Sequence, residues 1–264
     1  MKFWILLRET LRYIVRSRLL FLLLVFSFLL HYVGLSFMKQ ATVSIQGFVS
    51  SIGPREGMFV SVYLSLFMGL FLSAIYGIWM VPYLHQGERS LLTFVLPVSK
   101  WLYPAVYFLS FLILILLEFG ILLGSFTWIF GKEALLTPRF SWGALGTCLL
   151  IETLAFEFLL FFFSILSMSV GHVMTLFFAA GSFIFLQVIG TLFRFGFDQF
   201  AQEAGGNWLI ALRIYSYLPP LGELIFNLKQ TFSQGGFPTG HLILWSVWFL
   251  LGFLFFRFLL RVPR

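Results

Sequence analysis

Apolar residues occur along this chain in six long blocks, at about 19–38, 59–81, 102–129, 141–167, 173–193 and 241–260. A helix needs roughly 20 apolar residues to cross the hydrocarbon of a bilayer, so each block predicts one transmembrane helix. Residues 2–18 follow a different pattern. On a helical wheel Trp4, Leu7, Leu11, Ile14 and Val15 share one face, while Arg8, Arg12 and Arg16 line the other at i+4 spacing, with Lys2 and Glu9 alongside. This predicts an amphipathic helix lying in the membrane plane, its basic face toward cytosol and lipid headgroups. A positively charged topological anchor accounts for the same residues, and the two roles are compatible. The first apolar block is about twice as long as a signal-peptide h-region and has no small-x-small cleavage site. It is expected to be a retained helix.

Composition agrees with the pattern. Of 264 residues, 60% are apolar and 10% charged, with 37 Phe and 8 Trp, and the mean hydropathy is +0.99. Soluble domains carry about 25% charged residues, so this chain has too little charge to cover a water-facing surface. The expected fold is an all-α integral membrane protein, in which six transmembrane helices follow the in-plane N-terminal helix in one domain over 1–264. The net charge of +7 is read as topology and anionic-lipid contact, not nucleic-acid binding.

The polar inventory excludes several chemistries. Asp198 is the only Asp and Cys148 the only Cys, which rules out paired-Asp metal sites, an internal disulfide and any multi-Cys metal site. There is no GxxxxGK[ST] stretch, and Gly235-Gly236-Phe237-Pro238-Thr239-Gly240 has no following Lys. The chain therefore has no phosphate-cradling loop of its own. No Gly-x-Ser-x-Gly elbow supports a hydrolase. His31, His85, His172 and His241 fall at opposite ends of the spans without a His-x-x-x-His pair, so no metal site is expected. Cys148 reads as an apolar filler.

Six spans put both termini on one side. With the N-terminus inside, the inner segments hold Lys2, Arg8, Arg12, Arg16, Arg18, Arg89, Lys100, Arg257, Arg261 and Arg264. The outer ones hold Lys39, Arg55, Lys132, Arg139, Arg194, Arg213 and Lys229. The positive-inside rule therefore places both termini in the cytoplasm, most clearly around the first helix. Arg257 lies near the end of the last block, where it can snorkel to the interface.

Two features stand out within the spans. The second carries Ser61, Ser65, Gly69, Ser73 and Gly77, a small residue at every fourth position. Such a stripe allows close helix approach, either within the chain or across a dimer. Glu118 lies in the third span, and Glu152 and Glu157 in the fourth. A charge at mid-bilayer costs about 3 kcal/mol on insertion scales, so these carboxyls must face the protein interior, pair or carry a proton. With spans three and four antiparallel, Glu118 and Glu152 fall at similar depth. Glu152 and Glu157 lie about 140° apart around their helix. A proton or cation relay and neutral hydrogen bonding between helices are both consistent with these positions.

Residues 82–101 form the one substantial internal cytoplasmic loop. Pro82 and Gly87 are expected to break the preceding helix. Glu88 to Leu96 then read as a short amphipathic helix stopped by Pro97, with Ser99 as N-cap of the next span. Its apolar face needs the membrane surface or a cytosolic partner. The outer segment 194–240 has two apolar pieces, Trp208–Tyr217 and Leu221–Leu228, separated by Pro219-Pro220. Each is too short to span, so they lie on the outer surface or dip into it as a hairpin.

The run Glu88-Arg89-Ser90-Leu91-Leu92-Thr93-Phe94-Val95-Leu96-Pro97-Val98-Ser99-Lys100 resembles the "E…GTL…LL..LPVSR" segment of ABC exporter permeases of the drug/polysaccharide-exporter superfamily. The layout is also similar: a basic amphipathic N-terminal helix, six spans, and a Pro-containing outer segment, Tyr215-Ser216-Tyr217-Leu218-Pro219-Pro220-Leu221, before the last span. The sequence departs from that group where its Gly-Thr is replaced near Arg89-Ser90, and where a Lys early in the third span is missing.

The resemblance implies a permease subunit of an ATP-driven ABC transporter, an exporter in a bacterial cytoplasmic membrane. It also implies a second permease copy or a related permease as partner, and a separate cytosolic ATPase that carries ATP and Mg. Glu88, Arg89, Ser90, Leu91, Leu92, Phe94, Leu96 and Pro97 would then form the coupling helix that docks on that ATPase. The chain itself would bind no cofactor and catalyse no covalent step. The alternative is a proton- or ion-coupled secondary carrier working through Glu118, Glu152 and Glu157.

Overall fold

The computed structural model describes residues 2–16, 18–40, 42–45, 48–51, 53–86, 101–136, 142–181 and 239–259. They form α1 (Lys2–Arg16), α2 (Arg18–Gln40), a hairpin of β1 (Thr42–Ile45) and β2 (Phe48–Ser51), and α3 (Pro54–Ile75). A π-helical turn over Tyr76–Met80 leads into α4 (Val81–Gln86). Then come α5 (Leu102–Phe130), a 3-10 turn at Lys132–Leu136, α6 (Trp142–Val170), α7 (His172–Gly181) and α8 (Thr239–Leu259).

Five helical stretches are long and apolar enough to cross a membrane: Phe21–Gln40, Glu56–Tyr83, Leu102–Phe130, Trp142–Val170 and Leu242–Leu259. The chain is a multi-pass, predominantly helical membrane protein. α7 opens the fifth apolar block, whose residues 182–193 lie outside the described residues.

Lipid tails are as apolar as Leu, so packing and interhelical hydrogen bonds must hold such helices together. Cross-helix contacts give their directions. Ser27 meets Glu118 and Lys39 meets Ile129, so α2 and α5 run parallel. Gly57 lies against Phe130 and Tyr76 against Ser110, so α3 runs antiparallel to α5. Gly69 lies against Phe156 and Ser167 against Ile78, so α6 runs alongside α3 in the same direction. Trp101 stacks on Phe253 and Phe108 meets Phe249, so α8 runs antiparallel to α5. Hence α1, the start of α5, and the ends of α4, α6 and α8 lie at one end of the bundle. There the Arg257 guanidinium sits 3.2 Å from the centre of the Trp101 ring, a cation–π contact. At the other end Lys39 donates to the Ile129 carbonyl, placing a cation at the C-terminus of α5.

The small-residue stripe of α3 faces α6. A Cβ at Gly69 would fall within the Phe156 ring, and one at Gly77 would lie 2.8 Å from the Leu160 carbonyl oxygen. Only Gly permits this approach at either position. Further along α6, Phe158 and Phe161 pack with Trp245, Phe249, Phe253 and Phe256 of α8 into an aromatic wall.

Two expectations need correction. First, Pro82 does not end the second helix but lies within α4. The π turn just before it bonds the Val81 N–H to the Tyr76 carbonyl. Pro82 has no N–H to offer the Ile78 carbonyl one turn back. Ser167 of α6 donates to that carbonyl instead, at 2.6 Å, so the helix continues.

Second, α1 has three sectors, not two. Leu7, Thr10 and Ile14 are buried, with α1 packed on α5. Trp4 and Val15 are 68% and 80% exposed and form a separate apolar edge beside Arg8, Arg12 and Arg16. Tyr13 fixes α1 laterally by stacking on Tyr83, with ring centres 5.3 Å apart.

The connection between α2 and α3 contains the hairpin, paired antiparallel from Thr42–Ser51 to Ile45–Phe48. Its Val, Ile, Thr and Phe content favours strands. It leaves the membrane domain helical.

Candidate functional site

Four helices bring polar side chains to one level of the bundle. α2 supplies Ser27 and His31, four residues apart and therefore on one face. α3 supplies Ser61 and Ser65 from its small-residue stripe, α5 supplies Glu118, and α6 supplies Glu152. All six side chains have no exposed surface.

The Ser27 hydroxyl lies 2.6 and 2.7 Å from the two Glu118 oxygens and donates to that carboxyl. His31 Nδ1 lies 2.9 Å from the Ser27 carbonyl oxygen, which can only accept, so Nδ1 carries the hydrogen. The same nitrogen is 3.9 Å from Glu118 Oε1. In the neutral ring Nε2 then holds a lone pair, and no hydrogen-bond partner reaches it. The ring also lies close to the Ser61 main chain. Glu152 lies near Ser65 and within electrostatic reach of Glu118. Among the described residues, both Glu152 oxygens and the hydroxyls of Ser61 and Ser65 nevertheless lack a hydrogen-bond partner. Buried polar groups are normally paired, so this many open positions at one level mark the site.

A second polar group lies nearer the α1 end. The Tyr76 hydroxyl is 2.5 Å from Ser110 Oγ, which donates to the Tyr107 carbonyl oxygen. Glu157 lies within electrostatic reach of Tyr76, Tyr107 is in turn close to Tyr76 and Tyr103, and both Glu157 oxygens lack a hydrogen-bond partner. The two groups lie at different levels of the bundle, and Glu152 and Glu157 sit about 140° apart around α6.

The structure places the sequence-derived candidates unevenly. Glu118 and Glu152 come together, while Glu157 joins the second group. Of the stripe, Ser61 and Ser65 enter the first group, and Gly69 and Gly77 make the close contact with α6. Ser73 is buried and donates to its own helix at the Gly69 carbonyl. Glu88, Arg89, Ser90, Leu91, Leu92, Phe94, Leu96 and Pro97 lie outside the described residues, as does the outer segment over 194–238.

Ser27 and His31 were missed as partners of Glu118. Their signal was a polar pair at i, i+4 inside an apolar block. His172 lies 2.6 Å from the Ser167 hydroxyl, far from this cluster in α6. Among the described residues, no three His, Cys, Asp or Glu side chains are arranged to hold a metal ion. Compared with known protein families, curated proteins and solved structures, the chain has no match.

Proposed function

We propose that this chain is the membrane-spanning permease subunit of an ATP-driven exporter, working with a separate cytosolic ATPase and a second permease subunit. One observation carries the reading. The basic helix α1 and the helix ends that bracket residues 87–100 lie together at one end of the bundle, fastened by the Tyr13–Tyr83 stack. A cytosolic motor docking at that end would meet α1 and the Glu88–Pro97 segment at once. The Tyr76–Met80 π turn lies in the same helix, a few residues before that segment, and such turns are common at functional sites.

The direction of the helices supports six crossings. α6 ends at the α1 end and α8 starts at the opposite one, so the chain between them returns across the bundle. Ten inner against seven outer Lys and Arg favour cytoplasmic termini. In this reading the chain binds no nucleotide, and ATP and Mg belong to the partner. The membrane is the bacterial cytoplasmic membrane.

Gentle affinity purification from native membranes, followed by mass spectrometry and an ATPase assay, tests the proposal. A stoichiometric ATPase is expected, and it should be lost when residues 88–97 are altered. Reversing the charges of Glu88 and Arg89 should uncouple hydrolysis from transport while the protein remains inserted. Recovery of the chain without an ATPase, under conditions that keep such complexes whole, would favour the proton- or ion-coupled carrier.

A further inference from the structure

We propose that His31, Glu118 and Glu152 form a proton-binding site that takes up and releases one proton in the interior of the bundle. The proposal stands on the geometry of the cluster and holds whether or not an ATPase drives the chain.

Three basic groups share the site: the imidazole and two carboxylates. The net-neutral site holds two exchangeable protons among them. Either both carboxyls are protonated beside a neutral ring, or one carboxylate faces an imidazolium. A net charge in hydrocarbon is expensive, so the proton count matters more than which atom holds each proton. Release breaks one carboxyl O–H bond, or the Nε2–H bond of the imidazolium form, and passes that proton to the aqueous phase, leaving one proton shared among the two carboxylates and the ring; uptake reverses the step.

The surroundings suit both forms. In the imidazolium form, Nδ1–H still donates to the Ser27 carbonyl at 2.9 Å, and the charge lies 3.9 Å from Glu118. The new N–H would sit beside the Ser61 main chain, to which the ring is already close. Ser27 steadies Glu118 in either form. Glu152, fully buried, has both oxygens open toward Ser65 and Glu118. A purely structural carboxyl at this depth would be expected to have its hydrogen bonds complete.

Proton is the ligand class these residues fit. Among the described residues no arrangement for a metal ion exists. The charged and titratable groups facing the cluster are few. α2 gives His31, α5 gives Glu118, and α6 gives Glu152 with Glu157 further along, while α3 gives the Ser61 and Ser65 hydroxyls. Lys39 is engaged with Ile129 and Arg257 with Trp101, each toward an end of the bundle.

The test is infrared difference spectroscopy on the full chain in lipid nanodiscs, cycled between about pH 5 and pH 8, the range in which His titrates. A protonated-carboxyl C=O band should appear on acidification, and Glu118→Gln or Glu152→Gln should abolish or shift it. Glu133→Gln, an exposed control, should leave it unchanged. Ser27→Ala removes no charge and should move the titration midpoint. The unmutated protein decides the matter even if a variant fails to insert. If neither a carboxyl band nor ring signals of ¹⁵N-labelled His31 change over this range, the proposal is overturned. A cluster that responds to sodium at constant pH, and not to pH, overturns it equally.

Discussion

The two sides of α6 differ in what holds them. One packs on α8, where Phe158 and Phe161 interlock with Trp245, Phe249, Phe253 and Phe256. The other meets α3 and α5, where small residues admit close approach and the polar side chains of Glu118, Glu152 and Ser65 are sealed in. Both sides belong to helices of the same overall apolarity. Neither can draw on the exclusion of water, because lipid replaces it. On the aromatic side every ring has others to lie against, and among the described residues the one open polar position there is the indole N–H of the buried Trp245. The polar side is unfinished, with open hydrogen-bonding positions on three helices.

The contrast can be tested by mutation, starting with the largest expected effect. Phe161→Ala removes a fully buried ring from the aromatic side and should cost about 4 kcal/mol, read as a shift in denaturant unfolding from mixed micelles. Gly69→Val forces side-chain atoms into the Phe156 ring and should cost about 2 kcal/mol in the same assay. Ser27→Ala removes one interhelical hydrogen bond and should cost only about 1 kcal/mol, since such bonds contribute little net stability in membranes. If Ser27→Ala destabilised the protein as much as Phe161→Ala, the polar cluster would be a structural rivet, and the difference between the two sides would vanish.

Much of the scaffold was legible in the chain. The third block, expected at 102–129, is the helix Leu102–Phe130, because a long apolar run bounded by polar residues has few other solutions in a bilayer. Antiparallel spans alone placed Glu118 and Glu152 at one depth. The rest depended on contacts that periodicity does not encode. Ser27 and His31 become partners of Glu118 only through the rotation of α2 against α5, and nothing local specifies that rotation. Pro82 was misread because its effect depends on Ser167, 85 positions away in the sequence. Trp4 and Val15 read as part of one apolar face together with Leu7 and Ile14, which the bundle buries. The wheel shows that a helix is amphipathic but not how its apolar side divides between protein and lipid.

That division gives α1 the character of a waterline. A helix with one side fastened to the bundle, an apolar edge and a row of arginines rides at headgroup level. α1 packs on α5, and with α1 at the headgroups, as the proposed arrangement has it, this packing would fix how deeply the whole molecule sits. Measured along α5 from Leu102, Glu118 lies about 24 Å further in, two residues past the middle of that 29-residue helix. A change in bilayer thickness would move its carboxyl relative to one aqueous phase while α1 held station at the other.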